Sequence, residues 1–219
     1  YEIEIKYIKV ELVDRKKERK FLGEAVPYHP PIMNIKNFEH HLNTFKEGVI
    51  NRTYPDVVLH TLAAGQNIEN VLNVGTEQFI ILTWDFNEFQ DIEASGSGVL
   101  ELTTVNTIIG QHKNNNLGQV RIVELLDGNY NWGNENLTYD LFLDENKFSE
   151  VFNSQMIIDQ RPNTNMNEKN YFAIPKPVIH RLVEGKSKGL AVLPLGPISA
   201  TFFSSQYPGK SPLLHFNVQ

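Results

Sequence analysis

Short apolar runs broken by Gly, Pro and Ser dominate the last third of the chain. Residues 190–195 read Leu-Ala-Val-Leu-Pro-Leu, residues 198–203 Ile-Ser-Ala-Thr-Phe-Phe and residues 212–218 Pro-Leu-Leu-His-Phe-Asn-Val. Runs this short between turn formers predict antiparallel strands. The start of the chain alternates instead. Ile3, Ile5 and Tyr7 share one face and the phase shifts near Ile8, which predicts a half-buried, bulged strand over residues 2–13. A charged turn follows at 14–20 and a short run at 21–26. Pro27, Pro30 and Pro31 then exclude a helix or a central strand. Residues 1–45 therefore read as an N-terminal hairpin extension, with 27–45 a Pro-rich connector.

From residue 46 the pattern predicts further strands at 56–61, 70–74, 77–85, 98–104, 119–126, 136–142, 170–173, 190–195, 199–204 and 212–218. Helix is expected only at 148–153 and 177–184. In the latter, Val178, Ile179, Leu182 and Val183 fall on one helical face. Many short strands without βα alternation predict an all-β fold: an antiparallel two-sheet sandwich, jelly-roll-like, over residues 46–219. Residues 190–195, Phe202, Leu214 and Phe216 are expected in its core.

Composition narrows the classes of function. Of 219 residues, 41% are hydrophobic and 21% charged, as in ordinary globular domains. No apolar run is long enough to span a bilayer, so no membrane insertion is expected. The net charge of −6 argues against a nucleic-acid partner. The basic cluster Arg15, Lys16, Lys17, Arg19 and Lys20 reads as a solvated turn. With no cysteine, disulfides, thiolate metal sites and a Cys nucleophile are excluded. The chain opens at Tyr1 without a signal stretch and is read as a processed or excised piece. Asn is frequent, at 23 residues, and suits turns. Sequons at Asn51 and Asn136 matter only where the source glycosylates.

The order of these runs resembles the disaggregatase-related, or DNRLRE, domain family, which overlaps a carbohydrate-binding-module family. The likeness covers roughly residues 50–218. Asp56-Val-Val-Leu fills the opening strand, and Leu72-Asn-Val-Gly75 the short L-x-V-G element. The segment from Ile80 to Phe86 fills the F-D-L strand, and Gly98-Val-Leu-Glu-Leu102 the A-x-L-x-L strand. Val120-Arg-Ile-Val123 with Trp132, Glu135, Thr138 and Tyr139 resembles the V-x-x-V and W-x-E-x-x-x-T-W element. Phe202-Phe-Ser-Ser-Gln206 and Pro212-Leu-Leu-His-Phe-Asn-Val218 resemble the closing pair. Tyr139 stands where the family has a second Trp, and Gln206 where it has Glu. The resemblance implies an exported, non-catalytic sandwich that binds a polysaccharide or cell-surface glycan, attached to an enzyme, a surface protein or a phage structural protein.

Catalytic signatures are absent: no G-x-S-x-G elbow, H-E-x-x-H pair, phosphate loop or dinucleotide fingerprint occurs. Glu88 and Asp91 form a carboxylate pair of a kind any acidic surface supplies. The chain is not expected to be an enzyme. His40 and His41 are adjacent, so in a strand they point to opposite faces and chelate poorly together. In the loop from Asp127 to Glu135, oxygen side chains alternate at Asp127, Asn129 and Asn131, as a hard cation would need. The EF-hand pattern fails, because Trp132 occupies the Gly position and Thr138 that of the bidentate Glu. An ordinary Asn/Gly loop is the plainer reading. No cofactor is expected with certainty, and structural Ca²⁺ elsewhere stays open.

Sugar rings stack on aromatic side chains while polar neighbours bond their hydroxyls. Tyr130, Trp132 and Tyr139, with Asn129 and Arg121, form the candidate ligand-binding set. The competing reading packs Trp132 into the core, as it does Trp84 and Phe86. Tyr171, Arg161 and Tyr207 are lesser candidates. The first functional reading is thus an extracellular or surface glycan-binding module. The alternative is a structural brick of an appendage, fibre or virion, in which residues 1–26 pair with another copy by strand addition.

Overall fold

A computed structural model describes residues 34–59, 63, 68–89, 92–110, 118–133 and 135–219, with the backbone of Glu11–Val13 and Arg19–Phe21. The chain divides into two units, Tyr1–Asn34 and Ile35–Gln219. In the first, β1 (Glu11–Val13) pairs antiparallel with β2 (Arg19–Phe21). The rest of the expected strand at 2–13, the turn at 14–18 and the Pro-rich stretch lie outside the described residues.

The second unit is the all-β sandwich that the pattern predicts. One sheet runs β3 (His40–Asn43), β13 (Leu213–Phe216), β7 (Gly98–Ile109), β12 (Ile198–Phe202), β5 (Leu72–Val74), with β10 (Lys169–Ile174) also paired to β7. The other runs β4 (Lys46–Asn51), β6 (Gln78–Thr83), β11 (Gly189–Leu195), β8 (Gln119–Leu125), β9 (Phe152–Gln160). All pairings are antiparallel.

The second sheet is buried on both faces. Ile80, Leu82, Val120, Ile122, Leu190 and Val192 point into the space between the sheets, against Leu100, Leu102, Phe172, Phe202, Leu214 and Phe216. Their strand neighbours Phe79, Ile81, Val123, Leu125 and Ala191 point the other way, into a second apolar layer. That layer is completed by Trp132, Leu137, Phe142, Leu143 and Val151, from the segment that follows β8. Two-sided burial explains why these strands read as unbroken apolar runs rather than alternations. Of the expected core stretch at 190–195, residues 190–192 are buried and 193–195 only half so.

Helix α3 (Lys176–Val183) has Pro175 as its N-cap residue and Pro177 in its first turn, and it buries Val178, Ile179, Leu182 and Val183, as its spacing predicts. Helix α2 (Phe148–Val151) is shorter than expected, because β9 begins at Phe152. Three further readings are corrected. Residues 136–142, expected as a strand, hold the cap and body of helix α1 (Tyr139–Leu143): the Thr138 hydroxyl accepts from Leu141 N–H, and Asp144 at φ 50° ends it. The described part of 56–61 is turn and irregular chain, not a strand. His40–Asn43, read as connector, is strand β3 on the last strand of the sandwich. Strands β3 and β9 lie at sheet edges and are only partly buried, so the apolar pattern that would reveal them is weak.

Candidate functional site

The loop singled out from the sequence is part of the cap over the second sheet. Trp132 is only 3% exposed within that layer, so no face of its indole is open for a sugar to stack on. Tyr130 is half-buried, its ring edge-on to Phe142 at 5.6 Å, and its hydroxyl donates to the Asp127 carbonyl at 3.0 Å. Burial pushes that phenol well above its ordinary value, with the Asp127 charge adding to it. The Asp127 and Asn129 side-chain oxygens accept from Gly128 and Asn131 N–H, each at 2.8 Å, and thereby tie their own loop.

The sequence-selected residues are only partly brought together. Lys46 links two of them, its ammonium donating to the carbonyls of Tyr130 at 2.5 Å and Trp132 at 3.0 Å. Tyr139 opens α1 instead. Burial raises its phenol, partly offset by Arg52. Arg121 is gripped in bidentate fashion by Asp159 across the β8–β9 ladder, at 2.8 and 2.7 Å. The sequence reading missed Lys46, a lone cation 84 positions from Tyr130 with no local signal.

A broad cleft lies at the end of β6. Its volume is about 680 Å³, within the roughly 300–1,000 Å³ typical of small-molecule sites, and it is open to solvent. One wall is Trp84, Asp85, Phe86 and Asn87, leaving the last strand residue, Thr83. Asp85 caps the following turn by accepting from Asn87 N–H at 2.9 Å. The facing wall is the end of α3 and the turn from Glu184 to Lys188. Gly185, at φ +70°, reverses the chain there and donates to the Leu182 carbonyl at 3.1 Å, a left-handed step that suits glycine.

Apolar and polar groups alternate around this cleft. Trp84 is 7% exposed and its indole N–H has no hydrogen-bond partner, nor does Nδ1 of His180 on the opposite wall. Glu184 accepts from Lys186 at 3.0 Å and lies 3.5 Å from Nε2 of His180. The Lys186 bond holds the Glu184 carboxyl below the usual carboxylate range. Lys188 donates to the Gly185 carbonyl at 2.9 Å. Asp85, Asn87 and Glu93 add exposed acceptors. Among the described residues, no three His, Asp or Glu side chains come together as a metal set.

Neither a family model nor any curated protein matches this chain.

Proposed function

We propose that the sandwich is a non-catalytic, exported module that binds a polysaccharide or surface glycan, and that the ligand sits in the cleft between Trp84–Asn87 and the turn from Glu184 to Lys188. One observation carries the reading. The cleft joins an aromatic wall to a rim of carboxylates, an amide and ammonium groups, with two buried ring nitrogens left without partners. A pyranose offers both kinds of surface, apolar C–H faces for the rings and hydroxyls that donate and accept. The resemblance to DNRLRE domains points to the same class of ligand. The site moves from the 127–139 loop to this cleft because Trp132 is enclosed and Tyr130 is committed to Phe142.

Native affinity electrophoresis against a panel of soluble polysaccharides tests the proposal. A single site of this kind binds with Kd in the micromolar to millimolar range, roughly 4–8 kcal/mol. Losing one contact should therefore be plain. Phe86→Ala and Glu93→Ala are expected to weaken retardation about tenfold or more, the loss of about 1.4 kcal/mol. Tyr130→Ala, where folded, should bind like the parent. Retardation untouched by either cleft substitution refutes the site. No retardation by any polysaccharide, with self-association lost when residues 1–26 are removed, replaces the reading with that of a structural brick.

A further inference from the structure

The outer face of the first sheet carries a line of polar side chains that the proposed glycan site does not use. His41 of β3 and His215 of β13 are direct cross-strand partners. Their side chains share the face opposite the core, since Leu42, Leu214 and Phe216 turn inward. The two Nδ1 atoms face each other at 2.6 Å, with the rings at 72°. On its far side His215 meets Glu101, Nε2 to Oε2 at 3.3 Å, and the other oxygen of Glu101 accepts from Lys169 at 2.6 Å. His215 and Glu101 are both 2% exposed.

We propose that His41 and His215 form a two-histidine site for a late first-row divalent cation, Cu²⁺ most strongly and Ni²⁺ or Zn²⁺ less so, which clips the edge strand β3 to the last strand of the sandwich. The two imidazoles present a ring nitrogen to each other at hydrogen-bond distance. Such a pair holds either one shared proton or one metal ion. Metal–nitrogen bonds of about 2.0–2.1 Å at angles near 90–110° require the nitrogens to lie about 2.9–3.4 Å apart. The pair must therefore open by less than about 1 Å, and His41, exposed on an edge strand, is free to yield.

The surroundings suit a metal-bound imidazole. A ligating histidine characteristically gives its other N–H to a carboxylate, which fixes the ring and raises its basicity. Glu101 stands in that position, and Lys169 fixes Glu101 in turn. Because His41 is exposed, the remaining coordination positions are left to water. Imidazole nitrogen selects copper, nickel and zinc over calcium and magnesium, and affinity should follow the order in which copper leads.

The test is thermal unfolding of the full chain at neutral pH with CuCl₂, NiCl₂, ZnCl₂, CaCl₂ or no metal. An ion at about a hundred times its Kd should raise Tm by roughly 5–10 °C for a domain of this size. Copper should act at the lowest concentration and calcium not at all. His41→Ala, which removes only an exposed side chain, should abolish the rise, and His40→Ala, whose side chain points to the other face, should keep it. The Cu²⁺ electron paramagnetic resonance spectrum should show nitrogen ligands in the parent and lose that pattern in His41→Ala. No rise with copper, nickel or zinc in the parent overturns the proposal. So does a rise that His41→Ala retains.

Discussion

Phe142→Ala tests whether the segment after β8 is a true layer of the structure. Phe142 is fully buried, edge-on to Tyr130 at 5.6 Å and tilted at 60° to Phe152 at 6.0 Å. Removing the ring forfeits about 1.5–3 kcal/mol of apolar burial. Two aromatic pairs contribute about 0.5–1.5 kcal/mol each beyond that. The sum, roughly 2.5–6 kcal/mol, brackets the 3–5 kcal/mol usual for buried Phe→Ala. Domains of ordinary stability have only about 5–15 kcal/mol in hand, so the midpoint of urea unfolding should fall steeply. The two tryptophans report separately, because Trp132 lies in the cap layer and Trp84 in the core between the sheets. Fluorescence of Trp84→Phe and Trp132→Phe versions of the variant therefore distinguishes local loss of the cap from global unfolding. A destabilisation below about 1 kcal/mol would refute the argument, since Phe142 would then not hold the layer.

Two further outcomes follow from the polar contacts. Arg181 grips the buried carboxylate of Glu124 at 2.7 and 2.9 Å, so Arg181→Ala should cost about 2–3 kcal/mol in urea unfolding; that is less than the ~3–5 kcal/mol for a fully enclosed pair, because the Arg side chain is 39% exposed. Arg121→Ala, breaking the wetter pair with Asp159, should cost about 1 kcal/mol or less, and equal costs for the two would overturn the reasoning. The Tyr130 phenol is raised in the folded chain, so its stabilising share is present below its unfolded value near 10 and is lost as pH rises beyond it. Tyr130→Phe should flatten the decline in Tm above about pH 10, and an unchanged alkaline profile would show that another group governs it.

Most of the sandwich was legible because its core strands carry their own signal. The run Phe79-Ile-Ile-Leu82 announces a strand whichever face each side chain takes, and the register of β11 between β6 and β8 then assigns the faces. What a single sequence hides is what lies against each face. The alternation of Leu137, Tyr139 and Leu141 mimics a strand, yet Thr138 is free to cap a helix, and the apolar outer face of the second sheet rewards a helix that delivers Phe142 and Leu143 to it. The same blindness bears on the candidate ligand-binding residues. Trp132 looked like a binding residue because it stands in a polar loop, and only the sheet beneath shows where its ring goes. Trp84 reads as core, and it is, but it also lines the cleft at the end of β6, whose other wall arrives about a hundred positions later. His41 was judged against its neighbour His40, which strand geometry turns away. Its true partner, His215, is 174 positions distant and is supplied by pairing of the first sandwich strand with the last. Local pattern thus specifies the strands, while the cleft and the histidine pair are assembled from segments far apart in the chain.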